Sequence, residues 1–395
     1  MTVTIYPSRP EGTAKAPPSK SMAHRLLICA GLARGESTVR GVAASEDVLA
    51  TVDCLRALGA SVDLDGGTAR VRGTDPLSAV PEVLNCRESG STLRFFTPLC
   101  ALSGRETVLE GAEPLFRRPM EVYEDIFRER GLRFEKTDRS LTLCGPLTPG
   151  TYELPGDVSS QFVSGLLFAL PLTDGGSKIR LRPPVESRAY IDMTVSALGA
   201  FGVDASWNGE TELIVPGGQE YNARGVSVEG DWSNAAFFLA LGVPVTGLDP
   251  ESLQGDRVCA EHFAALDRGC AQIDISGCPD LGPVLMAYSA LRSGGTFTGT
   301  RRLALKESDR GAAMAEELCK FGVNVSIEEN RITVSGGART PSGPLSGHND
   351  HRIVMALSVL CARTGGTIEG AEAVNKSFPD FFERLKDLNV RLDIS

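Results

Sequence analysis

Residues Met314-Ala315-Glu316-Glu317-Leu318-Cys319-Lys320-Phe321-Gly322-Val323-Asn324-Val325-Ser326-Ile327, followed by Ile332-Thr333-Val334, hold the pattern on which the fold turns. Met314, Leu318 and Phe321 recur at helical spacing, and the stripe stops at a glycine. Glycine tolerates the left-handed backbone that closes a helix, so Gly322 marks a C-terminus. Beyond it the period falls to two and is broken by a turn, as in strand–turn–strand. The same ending occurs six times, at Leu58-Gly59, Arg130-Gly131, Phe201-Gly202, Arg268-Gly269, Phe321-Gly322 and Leu388-Asn389. The closing positions 59, 131, 202, 269, 322 and 389 lie 72, 71, 67, 53 and 67 residues apart, which predicts a repeated unit. Further stripes (Val48, Val52, Leu55, Leu58; Phe378, Phe381, Phe382, Leu385) and a further hairpin pattern (Ser61–Leu64, then Ala69–Val71) support it.

Each unit also carries a second helix that is apolar nearly all round and therefore buried. These are expected over His24–Ala33, Thr92–Leu102, Gln161–Leu170, Asn234–Gly242, Gly282–Leu291 and His351–Cys361. Capping residues precede all six: Ser19-Lys20-Ser21, Glu88-Ser89-Gly90-Ser91, Val158-Ser159-Ser160, Gly230-Asp231-Trp232-Ser233, Pro279-Asp280 and Asn349-Asp350. Taken singly each is a cap. Together they predict six helix starts, each presenting N–H groups and a positive dipole end that suit an anion.

At 395 residues the chain is long enough for about two domains. A net charge of −10 argues against a general nucleic-acid or membrane-surface binder. No apolar run reaches the ~18 residues that a membrane helix needs. The opening residues lack a signal-peptide core, so a cytoplasmic location is expected. Ten cysteines without a CxxC pair point to reduced core thiols. Histidines at 24, 262, 348 and 351 suggest no ligand cluster, and neither a metal nor a cofactor is expected.

The basic residues fall in telling places. Lys20 and Arg25 flank the first buried helix start, Arg94 sits two residues into the second helix, and Arg352 follows the sixth start. Arg118, Lys306, Arg310 and Lys376 lie in loops. Cations at the head of a buried apolar helix are costly unless something anionic meets them, and a phosphate with a carboxylate would suit this set.

Here the residues resemble a known family. Pro18-Ser19-Lys20-Ser21-Met22-Ala23-His24-Arg25 is similar to the opening signature of the 5-enolpyruvylshikimate-3-phosphate synthase family. The remaining signatures follow in order: Glu88–Arg94, Arg118-Pro119-Met120, Gly156–Phe162, Ser187-Arg188-Ala189-Tyr190, Asp280, Lys306-Glu307-Ser308-Asp309-Arg310, Asp350-His351-Arg352 and Lys376–Asp380. The resemblance implies a two-domain, inside-out α/β barrel of six βαβαββ units, three per domain. Domain one would comprise 1–18 plus 231–395 and domain two 19–230, with the active site in the cleft between them. It also implies a monomer whose partners are the small molecules phosphoenolpyruvate and shikimate 3-phosphate.

Carried over position by position, the resemblance implies a shikimate 3-phosphate site of Lys20, Ser21, Arg25, Ser159, Ser160, Gln161, Ser187, Tyr190, Asp280 and Lys306. The phosphoenolpyruvate site would use Lys20, Gly90, Arg94, Arg118, Gln161, Arg310, Arg352 and Lys376. Asp280 matches the base that takes the acceptor's hydroxyl proton. Glu307, Lys20 and Lys376 are the candidates for proton delivery and charge stabilisation, and His351 is expected to be structural. Glu88, Phe95 and Arg302 depart from some branches of the family. The absent side chain at Gly90 leads us to expect that the site admits glyphosate.

Two other readings compete. The sister transferase acting on UDP-N-acetylglucosamine opens with Lys-Asn and carries a cysteine before its Arg-Pro. Here Lys20 precedes Ser21, and no cysteine lies between Cys100 and Cys144. A non-catalytic anion-binding scaffold would have no use for Asp280, Glu307 and both lysines together.

Overall fold

All six expected helix ends close in the left-handed region, with φ of 101° at Gly59, 66° at Gly131, 79° at Gly202, 140° at Gly269, 77° at Gly322 and 62° at Asn389. The computed structural model describes residues 1–78 and 83–395 of the chain. The six inner helices run over Lys20–Leu32, Gly90–Cys100, Ser160–Ala169, Trp232–Ala240, Gly282–Ala290 and His351–Thr364, and most of their residues are buried. Five of them start on a capping side chain. Ser19, Ser89, Ser159, Asp231 and Asp350 accept from the backbone N–H of Met22, Thr92, Gln161, Asn234 and Arg352. The expectation of a cap from Asp280 is corrected. Asp280 lies inside a single 3₁₀ turn, Pro279–Leu281, and the helix behind it begins on Leu281 without a side-chain cap.

The chain forms two compact units, Met1–Pro17 with Gly230–Ser395, and Pro18–Glu229. Their limits fall one residue before those expected from the sequence. In Pro18–Glu229 three four-stranded sheets share one pairing order, a strand, a parallel neighbour, then an antiparallel hairpin, and in two of them an inner helix links the parallel pair. Val83–Asn85 pairs in parallel with Glu106–Glu110, which pairs with Ser140–Cys144 and through it with Arg133–Lys136. Thr151–Pro155 and Ser177–Arg182 open the second sheet in the same way. In the third, Glu36–Arg40 takes its parallel neighbour from Gly225–Ser227, at the far end of the unit's sequence. These strands alternate buried and exposed residues, as expected of sheets with helices on one side.

In the other unit Thr2–Ile5 lies antiparallel between Gly366–Glu369 and Leu392–Ile394, so the N-terminus completes the last sheet. Ala271–Asp274, Gly295–Thr298, Arg331–Val334 and Val325–Glu328 form a complete sheet. The unit built on Trp232–Ala240 is reduced. Its sheet is only Val245–Thr246 beside Ala14–Lys15. After Gly269 the chain enters Ala271–Asp274, the first strand of the next sheet, leaving no residues for a hairpin. That omission explains the short 53-residue interval. The alternating stretch after Gly269 belongs to the next unit.

The core follows the same division, with separate buried apolar clusters in the two units. Among the ten cysteines, Cys270 and Cys319 are exposed and Cys144 is half-buried; the other seven are buried. Among the described residues no helix is long and apolar enough to cross a membrane.

The left-handed exits make a direct test. Gly322 has open space around a would-be Cβ, so Gly322→Ala carries only the backbone cost. It should destabilise by about 1 kcal/mol, while Asn389→Gly should be neutral or stabilising, as read from urea unfolding midpoints.

Candidate active site

In Pro18–Glu229, Lys20 is the first residue of its helix, and its ammonium donates to Asp47 Oδ2 at 2.7 Å. Asp47 stands in the first turn of the Glu46–Ala57 helix, where a carboxylate also meets the favourable dipole end. One turn after Lys20, the buried Arg25 is held on several sides. Nε donates to Thr194 Oγ1 (2.8 Å), Nη1 to the Ser21 carbonyl (2.7 Å), and Nη2 to the Tyr190 carbonyl (2.9 Å) and Ser164 Oγ (3.4 Å). Burial brings this guanidinium down to about 10.

A second group gathers round the start of the Gly90–Cys100 helix. Arg94 Nη1 donates to Gln161 Oε1 at 2.6 Å and Nη2 to the Pro119 carbonyl at 2.9 Å, while its guanidinium carbon lies 4.9 Å from the Phe162 ring centre. Gln161 Nε2 donates to Ser91 Oγ at 2.8 Å. A side chain at Gly90 would overlap the Arg118 guanidinium, so glycine is what lets that cation lie against the helix start. Pro98 removes the helical bond to the Arg94 carbonyl, and the Tyr123 hydroxyl takes it up at 2.9 Å.

A buried hydroxyl chain joins these helices. His24 Nδ1 meets Thr51 Oγ1 at 2.7 Å, Thr51 meets Thr92 Oγ1 at 2.8 Å, and Thr92 donates to Ser89 Oγ at 2.7 Å. Burial, with Lys20 and Arg25 nearby, holds His24 well below the usual histidine range, so it stays neutral. Ser159 caps the Ser160–Ala169 helix and Ser160 follows it, buried. Ser187 precedes the Arg188–Ala200 helix with φ of 52°, an uncommon backbone for serine and a local strain.

In the other unit an ion cluster forms around Arg310, which is 1% exposed, at the head of the Arg310–Lys320 helix. Its Nε donates to Asp350 Oδ2 (2.8 Å), Nη1 to Asp280 Oδ1 (2.8 Å) and Nη2 to Glu307 Oε2 (2.7 Å). Asp280 also meets Lys306 at 3.0 Å and Arg352 at 3.3 Å. Burial alone would push the Asp280 carboxyl up, but Arg352, Lys306 and Arg310 pull it well below the carboxylate range. Burial brings the Lys306 ammonium down to about 8 against the pull of Asp280, with Arg310 and Arg302 adding repulsion. Burial also disfavours the charge on Arg310, yet Asp350, Glu307 and Asp280 raise it above the ordinary arginine value. Lys376 Nζ donates to the Asn349 carbonyl at 2.8 Å, next to Asp350. His351 is buried at the head of its helix.

The structure therefore joins Asp280, Lys306, Glu307, Arg310 and Arg352 directly in one unit, and Gly90, Arg94, Arg118 and Gln161 in the other. Arg25 ties Ser21 to Tyr190. Three partners escaped the sequence reading. Asp47 looks like any acidic residue in a helix's first turn, and Asp350, a cap within the Asp350-His351-Arg352 signature, carries nothing in its local sequence that pairs it with Arg310. Thr194 gives no signal at all, since only the fold brings it to Arg25.

A family model for EPSP synthase (3-phosphoshikimate 1-carboxyvinyltransferase) matches residues 6–385. The 3-phosphoshikimate 1-carboxyvinyltransferase of Clostridium kluyveri is 39% identical over an alignment of length 418, spanning 99% of this chain and 98% of the relative. That of Clostridium novyi is 34% identical over 426, with the same coverage. Among solved structures, EPSP synthase from Acinetobacter baumannii superposes with a TM-score of 0.79 at 25% identity, covering 100% of this chain and 99% of that one. The enolpyruvyl transferase NikO from Streptomyces tendae has the same TM-score at 16% identity, covering 99% and 98%, a likeness of fold alone.

Asp280 is the shared counter-ion of three buried cations, so Asp280→Asn should cost roughly 3 kcal/mol of stability. Urea unfolding of the variant checks this, and millimolar inorganic phosphate should restore part of the loss by supplying an anion to the same cations.

Proposed function

Because the chain belongs to the EPSP synthase family, we infer that it is a transferase of the shikimate pathway. It moves the enolpyruvyl group of phosphoenolpyruvate to the 5-hydroxyl of shikimate 3-phosphate, releasing phosphate. The observation that carries this reading is the ion cluster: one carboxylate, Asp280, held ionised by Lys306, Arg310 and Arg352. We propose that the protein acts as a monomer in the cytoplasm.

Lys20, Ser21, Ser159, Ser160, Gln161, Ser187, Tyr190 and Lys306 serve shikimate 3-phosphate. Four of the five N–H groups of Arg25 are taken by the protein itself. Arg25 therefore serves that site chiefly by fixing the Ser21 and Tyr190 backbone. Lys20, Gly90, Arg94, Arg118, Gln161, Arg310, Arg352 and Lys376 serve phosphoenolpyruvate, with the arginines suited to paired contacts with carboxylate and phosphate oxygens.

The chemistry needs two proton movements. Asp280 accepts the 5-hydroxyl proton as the oxygen attacks C2 of phosphoenolpyruvate. An acid drawn from Glu307, Lys20 and Lys376 protonates the methylene carbon, giving a tetrahedral intermediate. Loss of a proton from the resulting methyl group and departure of phosphate restore the double bond. A carboxylate held well below its usual range is a weak base. Anionic substrates that turn Lys306 and Arg352 toward themselves relax that hold, so the base gains strength only when the site is filled.

Phosphate release from phosphoenolpyruvate should require shikimate 3-phosphate and fail with UDP-N-acetylglucosamine. Asp280→Ala should lower turnover by ~10²–10⁴-fold. Release with the sugar nucleotide alone would overturn the acceptor assignment, and release with neither would leave an anion-binding protein.

Lys306 gives a pH signature. Burial brings its ammonium down to about 8 in the free protein, and a bound phosphate dianion favours the charged form. Binding of shikimate 3-phosphate should therefore take up a proton and weaken as pH rises through about 8. Calorimetry in buffers of different ionisation enthalpy checks this, and Lys306→Met should abolish the uptake.

A further inference from the structure

Glu317 is a carboxylate with 0% side-chain exposure, seven residues along the helix from Arg310, and no role above accounts for it. Both oxygens are engaged. Lys320 Nζ lies 3.0 Å from Oε1 and 2.9 Å from Oε2, His348 Nε2 donates to Oε1 at 2.9 Å, and the Ser346 N–H donates to Oε2 at 3.1 Å. Glu316, Glu317 and His348 each bring one ligand-type atom within 4.8 Å of the others. The Lys320 ammonium already supplies the positive charge that Glu317 requires, so this group is built as an internal clamp.

What the clamp holds is the turn before the His351–Thr364 helix. His348 and Asn349 both have left-handed backbones, with φ of 48° and 52°. Two consecutive non-glycine residues in that region cost of order 1–3 kcal/mol each and persist only where the surroundings enforce them. The enforcement is visible on each side. Gly347 N–H donates to the Glu369 carbonyl at 2.8 Å, and Asp350 N–H donates back to Gly347 at 2.9 Å. The His348 side chain is anchored on Glu317. The product of this strained turn is the Asn349 carbonyl aimed at Lys376 Nζ, 2.8 Å away, followed by Asp350 against Arg310. The Arg310–Lys320 helix thus grips the 346–350 turn at two points, through Arg310 at its start and Glu317 two turns on.

We propose that Glu317 and His348 are positioning residues for the phosphoenolpyruvate half of the reaction: their contact fixes the left-handed 348–349 turn that sets Lys376 and Asp350. The inference rests on the assignment of Lys376 and Arg310 to phosphoenolpyruvate. Neither Glu317 nor His348 touches substrate. Removing the contact lets the turn relax and moves the Lys376 ammonium away from its working place. Displacements of about 1 Å at a reacting group can cost of order 100-fold in rate.

Steady-state kinetics on five variants of the full chain test the idea. Glu317→Ala and His348→Ala should each lower kcat/KM for phosphoenolpyruvate by about 10- to 100-fold, with the Kd for shikimate 3-phosphate unchanged within about twofold. His348→Gln, which restores a donor toward Glu317, should recover much of the loss. Lys320→Ala removes the charge partner and leaves the turn's anchor, so it should lower Tm with little effect on phosphoenolpyruvate. Lys376→Met reports on the underlying assignment. If Lys376→Met abolishes turnover while His348→Ala does not alter kcat/KM, the clamp is not a positioning device. The same conclusion follows if Lys320→Ala matches Glu317→Ala, or if shikimate 3-phosphate affinity falls in step. An active Lys376→Met would instead remove the assignment, and the clamp's proposed purpose with it. Should Glu317→Ala fail to fold, the half-exposed His348 variants carry the test by themselves.

Discussion

A helix buried on every side cannot leave its first N–H groups to water, and six such helices make up the interior of this protein. Each must start on a side chain that accepts those hydrogen bonds or on something that does the same work. Ser19, Ser89, Ser159, Asp231 and Asp350 meet the requirement in five cases. The same requirement concentrates hydroxyls, carboxylates and oriented N–H groups at the helix heads, which is the chemistry that an anionic substrate needs. In this fold the short stretches that meet the structural need for caps also carry the groups proposed to meet the anionic substrates.

The exception is informative. The Gly282–Ala290 helix has no side-chain cap, and the carboxylate expected there, Asp280, is turned to three cations instead. A buried cation is tolerable only beside a fixed counter-charge. Arg310, with Asp350, Glu307 and Asp280 on its three nitrogens, is the centre of that balance. Lys306 sits at its margin, with an ammonium already brought down to about 8. The cluster is therefore a network in which each buried charge is balanced by its neighbours.

Much of the fold could be read from local chemistry. The left-handed exits from Gly59 to Asn389 depend on a residue that tolerates positive φ, and that tolerance is written in the residue type. The all-round apolar helices likewise announce their burial. The reduced unit was less legible. The stretch after Gly269 has the alternation of a strand, but nothing local says whether it closes one unit or opens the next. The strands contributed by Thr2–Ile5, Ala14–Lys15 and Gly225–Ser227 to sheets remote in sequence depend on pairing, and pairing has no local signature. For the site, the ordered basic motifs singled out Lys20 and Arg25, while Asp47 beside Lys20, Thr194 beside Arg25 and Glu317 beside His348 were hidden. An acidic or hydroxyl residue on a helix looks alike in a sequence whether it faces water or a buried guanidinium.

By itself the amino-acid sequence determined the repeat, the helix ends, the burial of the inner helices and the family signatures, because each depends on residues within a few positions of one another. Only the tertiary structure decided which carboxylate answers which cation, that Asp280 is a counter-ion and not a cap, and that Glu317 anchors the turn beside Lys376. Those outcomes depend on electrostatics between groups tens to hundreds of residues apart, whose strength is set by burial and distance. Neither quantity exists until the chain has folded.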